Sequence, residues 1–336
     1  MNIRISLCLL AATAIAAAQG PGHHGGPMSG PMGGRMMGTL PKEISSDANP
    51  ITTAKVDLGR MLFYETRLSK GRDVSCNSCH DLARYGVDGT AVSTGHEKQT
   101  GNRNSPTVYH AAGHIAQFWD GRAADVEAQA KGPVLNPVEM AMASDAEVAA
   151  TLRAIPGYVT AFQRAFPGEA EPVTFENMAR AIGAFERKLV TPSRWDRFLA
   201  GDRRAITSQE MAGHHEFMHG GCATCHNGPY VGGGMFQRLG AKKAWPSETD
   251  LGRMTVTKAE TDRLVFKVPS LRNVEKTAPY FHDGKVPALD RAVRLMGEHQ
   301  LGVTLSDEQV TQIVAWLKTL TGEIPRDYIR KPKLPE

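Results

Sequence analysis

An all-α protein of two related helical units, with little or no sheet, is what the sequence predicts. Three observations carry that prediction. Cys-x-x-Cys-His occurs at residues 76–80 and again at 222–226. An amphipathic helical run closes the segment that follows each copy. The Gly-, Pro- and Asn-rich stretches between show no sustained apolar/polar alternation. A chain of 336 residues has room for two domains with separate cores. The formal net charge is only +4, without a long basic run, so nucleic acid is not a natural partner.

From the N-terminus, Met1-Asn2-Ile3-Arg4 and a short Ala-rich apolar stretch read as a secretory signal peptide over residues 1–18, with Ala16-Ala17-Ala18 as its cleavage site. An uncleaved membrane anchor is the competing reading, and the run is short for one. Cys8 lies inside the leader, so the mature chain keeps four Cys, all in the two pentapeptides. The pentapeptide's use is covalent attachment of a c-type haem: the thiols add across the vinyl groups and the adjacent His reaches the iron. Zinc has no need of a His at the fifth position twice. A thioredoxin-like pair would sit beside a βαβ pattern, which the sequence does not show. Haem attachment takes place after export, so leader and motifs agree on a periplasmic location.

Residues 19–40, rich in Gly, Pro, Met and His, form a linker expected to be disordered. His23, His24 and its methionines suit copper; a plain flexible spacer is the simpler reading. The first haem domain is expected over 41–190. In it a helix opens at Asp145 and breaks before Pro156, and the run 174–190 places Met178, Ile182, Phe185 and Leu189 at helical spacing behind a Thr174 cap. The second domain, 191–336, repeats the design, its extreme C-terminal tail packing back on the first. There Ser306 and Gln309 offer a capping box, and Val310, Ile313, Val314 and Leu317 line one face. The architecture is therefore two cytochrome-c-like haem domains related by internal duplication.

Cys76, Cys79 and His80 would hold one haem, and Cys222, Cys225 and His226 the other. Composition does not choose the sixth ligands. His96, His110 and His114 follow the first motif; Met235, Met254, His282, Met296 and His299 follow the second. A second strong ligand closes an iron for electron transfer, whereas a releasable one leaves it reactive.

Beyond the pentapeptides, residues 75–140 and 266–302 carry long specific motifs, among them Ser93-Thr94-Gly95-His96, Gln117-Phe118-Trp119-Asp120-Gly121-Arg122 and Arg294-Leu295-Met296-Gly297-Glu298. In these the chain, from about Leu58 to Gly322, resembles the bacterial dihaem cytochrome c peroxidases. The resemblance implies an enzyme that reduces hydrogen peroxide to water with electrons from a small cytochrome c or a copper protein (a cupredoxin), working as a homodimer. It makes His80 the proximal and His96 the releasable distal ligand of the peroxidatic haem, and His226 and Met296 the ligands of the electron-transfer haem. Trp119 matches the tryptophan between the haems, and Gln129 and Glu139 the polar residues above the peroxidatic iron. Asn104, Thr277 and Pro279 match positions whose oxygens hold a calcium ion, the last two through carbonyls.

The chemistry agrees with these roles. Met ligation raises a haem's potential and His ligation lowers it. A carboxyl in an apolar pocket suits proton transfer between the two peroxide oxygens, and neutral carbonyls suit calcium. Plainer roles stand beside them: Trp119 as core packing, Glu139 as a helix cap or a partner for a surface Lys. His110 and His114 read as local packing or surface groups, and His214, His215 and His219 as exposed helix residues. Two other functions compete, a dihaem electron carrier and a protein-oxidising enzyme like the methylamine-dehydrogenase maturation branch. That branch uses Tyr where this chain has Met296.

Overall fold

The computed structural model describes residues 37–336; the leader and linker residues 19–36, with His23 and His24, lie outside the described residues. The fold is helical, as expected. Among the described residues the sheet is a single antiparallel pair, β1 (Phe236–Arg238) and β2 (Val265–Lys267).

The buried apolar side chains form two clusters. One is built on α1 (Thr53–Phe63), α2 (Cys76–Cys79), α3 (Val126–Leu135), α4 (Asp145–Arg153), α5 (Pro156–Ala165) and α6 (Phe175–Glu186). The other is built on α7 (Arg194–Leu199), α8 (Ser208–His219), α10 (Leu289–Leu295) and α11 (Asp307–Thr319), after the short α9 (Met254–Thr257). The caps explain the helix starts. The Thr52 and Thr174 hydroxyls accept from the Lys55 and Asn177 amides, and Ser306 and Gln309 close a reciprocal capping box. On α11 the apolar face turns out to be Val310, Ile313, Trp316 and Leu317; Val314 points into a surface groove instead. Pro156 stops α4 and serves as the first residue of α5, where its missing N–H costs nothing.

Each cluster turns on one helix crossing set by one glycine. A methyl at Gly59 would lie 1.9 Å from the Ala181 carbonyl oxygen, so α1 and α6 touch backbone to backbone. At Gly213 it would lie 1.8 Å from the Gln312 carbonyl, which brings α8 equally close to α11. The crossings seat the aromatics: Phe63 packs on Phe185 at 5.5 Å, and Phe217 on Trp316 at 4.5 Å.

The chain ends cross over. Met37, inside the expected linker, is fully buried with Trp195 and Trp316 in the second cluster, and the Leu40 amide donates to Asp196. The C-terminal helix α12 (Arg326–Ile329) returns to the first cluster, where Tyr328 stacks on Phe185 at 5.1 Å. Among the described residues no helix is long and apolar enough to cross a membrane.

Candidate active site

Both pentapeptides form a single helical turn in which the His amide bonds back to the first Cys carbonyl, at 2.9 Å for His80 and 3.1 Å for His226. All four thiols are free and half-buried. The two imidazoles are oriented alike: His80 Nδ1 faces the Gly86 carbonyl at 3.3 Å, and His226 Nδ1 the Pro269 carbonyl at 3.2 Å. A carbonyl only accepts, so Nδ1 carries the proton and Nε2 keeps its lone pair for a metal. Burial holds both rings neutral, pushing His226 down to about 4. Free thiols and oriented imidazoles fit covalent haem at both turns.

The surroundings repeat as well. The Thr107 hydroxyl donates to the Tyr85 carbonyl and accepts from the Tyr109 amide. The Ser270 hydroxyl donates to the Tyr230 carbonyl and accepts from the Arg272 amide. Thr107 follows Pro106 as Ser270 follows Pro269. The duplication thus extends to the residues that support the proximal histidines, a likeness short enough to be missed in the sequence.

Beyond this shared frame the units differ. His96 lies on a tight loop whose amide donates to the Glu139 carbonyl at 2.8 Å. The loop sits so close that a methyl at Gly95 would meet the Val138 oxygen at 2.2 Å. Among the described residues the His96 ring is unanchored apart from a 3.7 Å approach of Nε2 to Glu97. Glu139 is held by the Asn136 amide at 2.7 Å, and burial raises its pKa against that bond and the Arg122 charge. Gln129, half-buried on α3, makes no side-chain hydrogen bond among the described residues. The structure therefore brings His96 and Glu139 together through their backbones.

Trp119 occupies the seam between the clusters, its indole edge-on to His282. Arg103 locks the same seam with a fork to Asp250 at 2.6 and 2.8 Å and a bond to Asp120 at 2.5 Å. Asn104 donates to the Thr90 carbonyl, and its amide binds the His282 carbonyl at 2.7 Å. That contact carries the 277–282 turn to Asn104. Asn104 Oδ1 and the Thr277 and Pro279 carbonyls accept no hydrogen bond among the described residues, leaving three neutral oxygens free. No cluster of three His, Cys, Asp or Glu among the described residues could hold a metal.

Met296 opens a π-helical turn, Met296–Leu301, at the end of α10. Among the other ligand candidates, His110 and His282 are buried in packed surroundings. His110 is wholly buried, neither surface nor available, because its Nε2 accepts the Thr191 amide at 3.0 Å. His282 stacks on Phe266 at 4.5 Å. His214, expected on an exposed face, packs between Trp195 and Trp316, while His215 and His219 are exposed. A groove of about 1380 Å³ along α11 is lined by none of the ligand candidates.

By fold and site this is a helical protein of the dihaem c-type class. The family model for di-haem cytochrome c peroxidase matches residues 53–204. Cytochrome c551 peroxidase of Pseudomonas aeruginosa is 45% identical over 302 residues, 88% of this chain and 86% of that one. The Nitrosomonas europaea enzyme of the same name is 46% identical over 279 residues, 82% of each. A solved MauG-like protein associated with microbial copper homeostasis is similar at 29% identity with a TM-score of 0.76, covering 87% of this chain and 97% of that one. The chain belongs to the di-haem cytochrome c peroxidase family, whose members are oxidoreductases with two c-type haems.

Proposed function

We propose that this enzyme reduces hydrogen peroxide to water in the periplasm, H2O2 + 2 e− + 2 H+ giving 2 H2O, with electrons arriving singly from a small cytochrome c or a cupredoxin. The observation that carries the reading is the backbone bond between His96 and Glu139, which couples a releasable imidazole to a buried carboxyl. When bound at Cys76 and Cys79, haem supplies the iron at which the O–O bond is cleaved. Withdrawal of the His96 loop opens the face beside Glu139. Glu139 takes the proton from the near peroxide oxygen and returns it to the far one, which leaves as water; its raised pKa suits both steps. The Gln129 amide, without a side-chain partner among the described residues, orients the peroxide. Trp119, bonded to both units, places an aromatic ring between the two redox sites. Met296 and His226 are the assigned ligands on the receiving side.

The activity is tested by peroxide-dependent oxidation of a reduced small cytochrome c. No turnover by half-reduced protein would refute the reading. Calcium at Asn104, Thr277 and Pro279 belongs to the same proposal, supported by their three unengaged oxygens. Calorimetric titration of the chelator-treated protein should show one site per chain, lost in Asn104→Leu. A homodimer is the expected state, tested by light scattering.

A further inference from the structure

We infer that His299 is a positioning residue that holds Met296 on the second haem iron, by clamping the Met296 turn to the loop at residues 238–245. The inference rests on the assignment of Met296 as that iron's ligand. A π-turn is wider and less tightly bonded than an α-turn. The Met296 amide ties its first residue back to the Ala292 and Val293 carbonyls of α10, and whatever holds the turn from outside sets the rest of its position.

Here the holding is specific. Three consecutive residues of the turn engage one loop. Glu298 pairs with the Lys243 ammonium. His299 Nδ1 faces the Ala244 carbonyl at 2.9 Å and the Lys243 carbonyl at 3.2 Å, so it carries the proton and donates. The His299 carbonyl in turn accepts the Lys242 and Lys243 amides at 3.0 and 3.1 Å. Gln300 accepts from the Gly240 amide and donates to the Arg238 carbonyl.

Of the three, the Glu298–Lys243 pair is at the surface and contributes little. His299 is 4% exposed, its ring edge-on to Trp245 at 5.1 Å, and Trp245 packs on Phe281. The donor side of these hydrogen bonds is thus sheltered from water, and its loss leaves the Lys243 and Ala244 carbonyls without that partner. The clamp is continuous with β1, whose partner strand β2 binds the Trp119 carbonyl.

The test uses the oxidised dihaem protein and imidazole as a competing ligand, followed by loss of the sulfur-to-iron charge-transfer absorption. His299→Ala should let imidazole displace Met296 at about tenfold lower concentration, the effect of one lost hydrogen bond of ordinary strength. His299→Asn, whose amide reaches the place of Nδ1, should restore the wild-type value. Gln300→Ala, which loosens the same loop, should shift it in the same direction. Haem content and the first haem's spectrum should be unchanged throughout, which separates displacement from misfolding. Wild-type imidazole affinity in both His299→Ala and Gln300→Ala overturns the inference, as does an Asn variant no better than Ala. Met296→Ala should abolish the absorption; if the absorption persists there, the ligand assignment itself has failed.

Discussion

The Trp119 carbonyl accepts the Lys267 amide at 2.8 Å, while the indole Nε1–H of Trp119 donates to the Asn104 carbonyl, also at 2.8 Å. Asn104 lies two residues before Pro106 and Lys267 two before Pro269, whose carbonyl orients His226. Trp119 is thereby bonded at matching positions of the two repeats. Trp119→Phe keeps a ring at the seam and removes the indole bond. It should cost about 1 kcal/mol of stability and slow electron passage between haems in stopped-flow reduction, leaving the Met296 absorption intact.

Glu139→Gln keeps the shape of the side chain and removes its proton chemistry. Peroxide turnover should fall by about 10²- to 10⁴-fold with both haem spectra preserved. A base must start deprotonated, and burial raises the Glu139 pKa. The acidic limb of kcat/KM against pH should therefore lie above the ordinary carboxylate range and vanish in the variant.

His96→Gly removes the proposed distal ligand while leaving the loop's amide bond to Glu139. The fully oxidised variant should bind peroxide at the first haem without prior reduction of the second. Visible spectra should show that iron high-spin at rest; a low-spin spectrum would mean another residue closes it.

Gly213→Ala places a methyl 1.8 Å from the Gln312 carbonyl, and α8 and α11 must separate to admit it. The expected cost is about 3 kcal/mol, read by denaturant unfolding, with Gly59→Ala behaving likewise in the first unit.

Glu65 is buried, which alone would raise its pKa. Its bonds from Arg67 at 2.6 and 2.8 Å and from the Tyr158 hydroxyl at 2.6 Å outweigh that and lower it. A depressed folded value contributes stability above the unfolded pKa, about 4.3, and loses it as pH falls through the folded one. Thermal unfolding of Glu65→Gln should therefore fall less steeply with acid below about pH 4 than that of the parent.

The haem turns and closing helices were legible because each rests on local chemistry: two thiols and an imidazole at fixed spacing, or a capped apolar stripe. Gly59 and Gly213 were not, since a glycine's value at a crossing depends on a carbonyl more than 95 residues away in sequence. Helix α3 hides for a different reason. It carries Gly132 and an internal Pro133, and its buried face, Val126, Glu127, Ala130 and Val134, includes a carboxylate that breaks the apolar stripe. His214 misled because its neighbours on α8 are polar, while two tryptophans arrive from α7 and α11. The proximal-side repeat is faint in the sequence because only a proline followed by a hydroxyl residue is shared.

Met37 plugs the second unit and Ile329 the first, so the described chain is buckled at both of its ends. A cut at residue 190 would not yield two intact halves. The front half would lack the Tyr328 ring that covers Phe185, and the back half would lack its Met37 plug and carry a stranded tail. Loosening either core undoes part of the other, so the spacing between the two iron sites is set by the whole chain rather than by a hinge between independent modules.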